Sequence, residues 1–241
     1  MKLLKRTIPF QALMGRSRDY MNDSYMTKIV AASLLADGGV YIPKDGSINA
    51  HYRQNKLTKH MDYVDWLVER LETICKTRKH IFQPKMKNAG EQVEIRTCVH
   101  PFYTKFRNRM YPNGHKVVDP HYLTFIDYEF LAIWYMEDGT LVKHKHTNKI
   151  YPEVLLCTDS FSYGEQHLLR KALKEKLDLD FNVRSYWKND RLLYRLSLRS
   201  KDYTTFIENI TPFILPTFSY KVQYAVSPVI MTGEDIVRSL Q

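Results

Sequence analysis

Two apolar stretches, each closed by an aspartate and a glycine, divide this chain almost evenly, and their spacing constrains its fold more than any other feature. MTKIVAASLLA (26–36) stops at Asp37-Gly38-Gly39, and FIDYEFLAIWYM (125–136) stops at Glu137-Asp138-Gly139. The aspartates are 101 residues apart, and 103 residues come after the second. Both stretches read as buried helices ended by glycine. An even division of this kind marks an internal repeat.

The residues downstream of each aspartate support the repeat. After Asp37 come two extended stretches, GVYI and INAHYRQ, then a helix near 58–75 with Met61, Val64, Leu67, Val68, Leu71 and Cys75 at helical spacing. After Asp138 come TLVKHKH and EVLLCT, then a helix from Ser162 to about Leu177, where Ser162 and Glu165 form a capping box. Each half then repeats strand, strand, helix: HIFQPK, EQVEIRTCV and a helix begun by Pro101 in one, FNVRSYWK, RLLYRLSLR and SKDYTTFIENI in the other. Along RLLYRLSLR, Tyr194, Leu196 and Leu198 should face one way and Arg195, Ser197 and Arg199 the other, as in a half-buried antiparallel strand. Both halves end on a proline and then a lysine, Pro112 with Lys116 and Pro216 with Lys221. The expected fold class is α+β, two pseudo-symmetric αββαββα halves over residues 1–118 and 119–241, with the apolar helices at about 24–37 and 125–138.

The charge balance narrows the partner. Thirty-six Lys and Arg against 26 Asp and Glu give a net charge of +10, which favours a polyanion. No apolar run approaches the roughly 18 residues needed to span a bilayer, so a membrane is not the expected partner. The N-terminal MKLLKRTIPFQALMGR is basic with too short an apolar stretch for a secretory signal. A mitochondrial address is compatible with it until Asp19 and Asp23 interrupt. Cys75, Cys98 and Cys157 form no CxxC pair, so neither a zinc ribbon nor a disulfide framework is indicated, and a reduced intracellular setting fits.

Two helices pack closely only where small residues line the contact, and Ala31, Ala32, Ala36 and Ala132 offer that surface. Helices running side by side would bring Asp37 and Asp138 together, where paired carboxylates need a divalent cation. Hard oxygen ligands suit Mg²⁺, and paired metal ions can drive phosphodiester cleavage. Two four-stranded antiparallel sheets related by a pseudo-two-fold would form a long DNA-binding saddle able to read the major groove. Since the halves differ in sequence, the duplex site should be asymmetric.

LAIWYMEDG (131–139) and VAASLLADG (30–38) resemble the two signatures of the LAGLIDADG homing endonucleases. Alanine or serine stands in the first where the family often has glycine, and Glu137 stands where aspartate is common. EVLLCTDSFS (153–162) and PFILPTFSYKV (212–222) are similar to the monomeric, intron-encoded branch, so the likeness spans nearly the whole chain. It implies a single chain whose motif helices form the interface between halves, with Asp37 and Asp138 binding metal across the minor groove and the carbonyls of Ala36 and Glu137 as further ligands. Lys116 and Lys221 match the basic residue the family places near each scissile phosphate, where it would polarise water or stabilise developing charge. No covalent protein intermediate is implied, and the two cuts should leave short 3′ overhangs. Mg²⁺ is the expected cofactor, with Mn²⁺ able to replace it and Ca²⁺ supporting binding without cleavage.

Basic and aromatic strand residues are the candidates for the DNA face: Tyr41, His51, Arg53, Lys85, Lys87 and Arg96 in the first half, and Lys143, Lys145, Arg184, Tyr186, Lys188, Arg191 and Arg195 in the second. His144 and His146 alternate onto one strand face without a third ligand, which reads as DNA contact or solvent exposure before metal. His115 and His121 lack the companions of a histidine-based nuclease. Two rival readings share the scaffold: a maturase that binds intron RNA, and a DNA-binding regulator that has lost cleavage. The expected compartment is an organelle such as the mitochondrion, or a microbial or phage-infected cytoplasm.

Overall fold

The computed structural model describes residues 23–44, 46–86, 89–146 and 149–223. The basic N-terminal segment and Lys87 lie outside the described residues, as do the side chains of Lys145 and His146. The first run comprises α1 (Asp23–Leu34), β1 (Gly39–Tyr41), β2 (His51–Leu57), α2 (Met61–Leu71), β3 (Thr77–Phe82), β4 (Gln92–Thr97) and α3 (Pro101–Met110). A short helix, α4 (Pro120–Leu123), leads to the second run: α5 (Tyr128–Asp138), β5 (Gly139–His146), β6 (Lys149–Leu156), α6 (Tyr163–Leu177), β7 (Phe181–Lys188), β8 (Arg191–Leu198) and α7 (Tyr203–Ile210). This is αββαββα twice, each run carrying one antiparallel four-stranded sheet, with orders β1-β2-β4-β3 and β5-β6-β8-β7.

The two apolar helices are central because nothing on them wants water. Ile29 through Leu34 in α1 and Phe130 through Glu137 in α5 are buried without a break, the pattern of a helix enclosed on every side. Each large apolar side chain so buried, Trp134 or Phe130 for instance, contributes on the order of 2 kcal/mol. Ala31, Ala32 and Ala132 are buried, the two helices pack on each other, and polar links fasten both ends. At the N-terminal end Lys28 bonds Asp127 at 2.9 Å and Glu129 at 2.6 Å, and Tyr25 donates to Glu129 at 2.8 Å.

α5 begins at Tyr128, three residues later than its apolar run, because Asp127 caps it by accepting from the Phe130 N–H at 2.8 Å. The capping box of Ser162 and Glu165 is present, and His100 caps α3 ahead of Pro101.

Register fixes which strand residues share the outer face of each sheet. In the first sheet, Tyr41 lies opposite His51, Arg53 opposite Arg96, and Arg96 opposite Arg78. In the second, Arg184 lies opposite Arg195 and Lys188 opposite Arg191. Among the described residues, no helix is long and apolar enough to cross a membrane.

Candidate active site

Each apolar helix ends where its chain must turn without a side chain. A Cβ on Gly38 would sit 2.5 Å from Ser33 Oγ and 2.9 Å from the Tyr52 hydroxyl, and one on Gly139 would overlap the ring and carbonyl of Tyr135. Gly139 ends its helix in extended backbone, with φ −91° and ψ 155°. Close approach, not handedness, is why glycine stands after each aspartate.

Glu137, the residue before Asp138, points across into the first half. It accepts from the Asp37 N–H at 3.2 Å, from Ser33 Oγ at 3.1 Å and from the Tyr63 hydroxyl. A single carboxylate of one motif therefore holds the backbone of the other. Burial, and then Asp37, push the Glu137 carboxyl up, against the pull of Lys56. Asp138 is raised to about 7, by burial first and then by the charges of Asp37 and Glu137. Such a pair is electrostatically short of a cation.

One cationic side chain already serves the first end. Lys56, from the inner face of β2, bonds Asp37 Oδ2 at 2.5 Å; its side chain is 5% exposed against 43% for the aspartate. Sequence reading missed Lys56, which lies at the edge of a stretch taken as an ordinary strand. Its inward direction was hidden because an alternating strand normally points lysine outward.

The two predicted lysines both sit against their motif ends. Lys116 Nζ donates to the carbonyls of Ala36 at 3.1 Å and Gly38 at 2.8 Å, flanking Asp37. Lys221 Nζ donates to Tyr135 at 3.2 Å, Met136 at 2.7 Å and Gly139 at 2.8 Å, around Asp138. Helix C-termini present unpaired carbonyls and a negative dipole end, which is what draws an ammonium there. Burial lowers both amines, Lys221 to about 8. Clefts of about 230 and 300 Å³ open beside these groups, the first between Asp37, Lys56 and Lys221, the second beside Asp138, Tyr220 and Lys221.

The strand candidates divide. Tyr41, Arg53 and Arg96 share the outer face of the first sheet, Arg53 paired with Glu94 at 2.6 Å; Arg78 and His80 of β3 share that face and were not singled out from sequence. His51 is buried, 6.0 Å from the Tyr41 ring, because it backs that ring instead of standing clear. Lys85 is exposed beyond β3. Arg184, Tyr186, Lys188, Arg191 and Arg195 share the outer face of the second sheet, with Arg195 stacked 4.0 Å over Tyr186 and Arg184 bonded to Glu153 at 2.8 Å. Lys143, opposite Pro152, falls on the face of Leu141 and Val154, because the pleat alternates and His144 takes the outer place. His144 bonds Glu153 at 2.6 Å.

Among the described residues, no three His, Cys, Asp or Glu side chains converge into a metal cage. Two carboxylates at abutting helix ends suit a hard cation whose remaining ligands are waters and phosphate oxygens. The Ala36 carbonyl, one expected further ligand, is engaged by Lys116 here.

Known proteins resemble the chain along this whole arrangement. The LAGLIDADG DNA endonuclease family matches residues 27–206. DNA endonuclease I-ChuI of Chlamydomonas applanata is 26% identical over 208 residues, 80% of this chain and 92% of that protein. Probable intron-encoded endonuclease 1 of Wickerhamomyces canadensis is 25% identical, covering 87% and 90%. Cytochrome b mRNA maturase bI2 of Debaryomyces hansenii is 24% identical, covering 83% and 74%. In fold, the chain is similar to the homing endonuclease I-WcaI bound to its DNA recognition sequence, with a TM-score of 0.71 and 18% identity over 91% of this chain and 100% of that one.

Proposed function

Because the chain belongs to the LAGLIDADG DNA endonuclease family and is a site-specific DNA endonuclease, we propose that Asp37 and Asp138 are its metal-binding catalytic carboxylates, each cutting one strand of a long asymmetric duplex. The observation that carries this is the cross-half bond from the Asp37 N–H to Glu137. It brings two chain-distant motif ends to one point, with Asp138 next in sequence and within reach of the Asp37 charge.

Divalent cations, Mg²⁺ with Mn²⁺ as substitute, would polarise the scissile phosphate and the attacking water. The chain's own groups do the rest. Asp37 and Asp138 supply the oxygen ligands, with the Glu137 carbonyl available as another. Lys116 and Lys221, fixed by helix-end carbonyls, hold ammonium groups where negative charge develops. Lys56 balances Asp37 while the site awaits substrate. No side chain here is needed as a covalent nucleophile.

The outer faces supply the duplex grip. Arg53, Arg96 and Arg78 stand in one cross-strand row, and Arg184 and Arg195 in another. Glu94, Glu153 and Asp159 each pair with one arginine of these rows, and phosphates would add to that balance at a salt-dependent affinity. Tyr41, Tyr186, Lys188, Arg191 and Lys85 extend this surface; Lys143 would act at its rim, and His51 by supporting Tyr41. Intron RNA is the second reading of the same basic surface, favoured by the maturase relative. With intron-encoded relatives, we place the protein inside the cell, in an organelle or a microbial cytoplasm.

The test is to incubate the protein with a randomised duplex library in Mg²⁺ and sequence the ends. The expected result is one asymmetric site cut with short 3′ overhangs in Mg²⁺ or Mn²⁺, and bound but uncut in Ca²⁺. Tight duplex binding with no cut in either active metal would leave a DNA-binding regulator, and selective RNA binding would leave the maturase.

A further inference from the structure

The segments that carry the two lysines are each tied to the opposite half. Lys221 closes the turn Pro216–Lys221. Within it the Thr217 N–H donates to Asp62 Oδ2 at 3.1 Å, and Thr217 Oγ1 donates to the Lys59 carbonyl at 2.9 Å. Phe218 stacks on His60 at 4.4 Å and meets Tyr63 edge-on at 5.6 Å. Asp62 and Tyr63 lie in the first turn of α2, and Lys59 and His60 in the 3-10 turn just before it, all in the first half. Two residues after Lys116, the Val118 N–H donates to Glu165 Oε1 at 2.7 Å. Glu165 lies in the first turn of α6, in the second half.

α2 and α6 hold the same place in the two αββαββα runs. Each offers an acidic residue of its first turn, where the helix dipole favours negative charge. Each acid receives a backbone N–H from the lysine segment of the other half. The bonds are thus reciprocal, although their sequences and distances differ.

We infer that Asp62 and Glu165 are positioning residues acting across the pseudo-two-fold: Asp62 through Thr217 sets Lys221 at the Asp138 end, and Glu165 through Val118 sets Lys116 at the Asp37 end. Each cut then depends on a contact made by the half that does not carry its aspartate. Displacing a catalytic group by about 1 Å can cost roughly 10²-fold in rate, so a lost backbone anchor is enough to matter. This rests on the nuclease reading above.

The experiment is single-turnover cleavage of the target duplex with the two strands labelled separately, alongside melting temperature and duplex affinity. Asp62→Ala should slow one strand by roughly tenfold to a hundredfold and Glu165→Ala the other, with affinity unchanged, so nicked duplex accumulates on opposite strands in the two variants. Asp62→Asn and Glu165→Gln keep an acceptor oxygen and should restore balanced cutting. Thr217→Val, which keeps the fold but loses the hydroxyl bonds, should slow the same strand as Asp62→Ala. Ser162→Ala removes the helix cap, bonded to the other Glu165 oxygen, and should leave the strand balance alone. Equal slowing of both strands, or the same strand slowed by Asp62→Ala and Glu165→Ala, overturns the inference. A wild-type protein that cuts neither strand refutes the nuclease reading instead.

Discussion

The two motif ends proposed to be catalytic occupy equivalent places but are built differently. At the Asp37 end the carboxylate has a lysine at 2.5 Å and its backbone N–H is held by Glu137. At the Asp138 end neither partner exists among the described residues. Arg53 pairs with Gly39, two residues past Asp37, and Leu155 pairs with Thr140, two past Asp138. Three residues on from these partners stand Lys56 in one half and Thr158 in the other, and Thr158 is engaged by Gln166 at 2.6 Å. The residue before the aspartate is Ala36 in one half and Glu137 in the other. Duplicated topology has therefore preserved positions while the charge balance became one-sided: a lysine bonds the first carboxylate directly, whereas among the described residues Lys221 meets only the carbonyls around the second.

The strongest way to break this comparison is to remove the aspartates. Asp37→Asn and Asp138→Asn should each abolish double-strand cleavage, a loss of about 10³-fold or more for its strand, on the order of 4 kcal/mol of transition-state stabilisation. Gel assays in Mg²⁺ decide it. Undiminished cutting by either variant would mean that the balanced and unbalanced ends are not both catalytic centres.

The pH dependence of stability separates the two ends next. Asp138 titrates near 7 in the folded protein, above the ordinary carboxylate value, because burial and neighbouring charge disfavour its ionised form. The stability it contributes is full below about pH 4 and is lost as pH rises towards 7, a decline on the order of 2–4 kcal/mol. Lys221, lowered to about 8, has the opposite sign: stability recovers as pH rises from 8 towards 10.5. In chelator, thermal melting should show a trough near pH 7–8. Asp138→Asn should flatten its acid side, and a slope untouched by that change would mean the second end is not short of a cation.

Much of this was legible in the residues, and the gaps have physical causes. The repeat, both four-stranded sheets and the positions of Lys116 and Lys221 can be read from apolar periodicity and spacing, which record burial directly. Spacing does not record direction. Glu137 reads as a polar residue at a helix end, yet it faces the Tyr63 and Ser33 hydroxyls of the other half. Lys56 reads as a solvated strand lysine, yet it faces inward because Asp37 is there to receive it. Lys143 reads as a DNA-face lysine, yet the alternation that turns His144 outward puts it on the face of Leu141. Partners from distant sequence decide each of these cases.

Removing Lys56 probes the balanced end itself. Lys56→Met leaves Asp37 and the buried Glu137 without their cation. The Asp37 carboxylate is 43% exposed, so the cost should be about 1–3 kcal/mol, below the 3–5 typical of a fully buried pair. The variant should melt lower in chelator and regain more stability on adding Mn²⁺ than wild type does, because its first end would then resemble the second. Equal metal-induced shifts in the two proteins would show that Lys56 does not stand in for metal.

The smallest effect is expected at the far end of the motif helices, where the halves are joined without reference to either centre. Lys28 bonds Asp127 and Glu129 there, with 14% of its side chain exposed. Lys28→Met should cost about 1–2 kcal/mol, because Asp127 is half-exposed and Glu129, though only 12% exposed, keeps the Tyr25 hydroxyl bond. Since the clamp sets α1 against α5 as whole bodies, any loss of cleavage should fall equally on the two strands. Strand-resolved rates for this variant therefore give the baseline for the others: a bias here would mean that helix registry, and not the unequal groups around Asp37 and Asp138, is the source of the asymmetry.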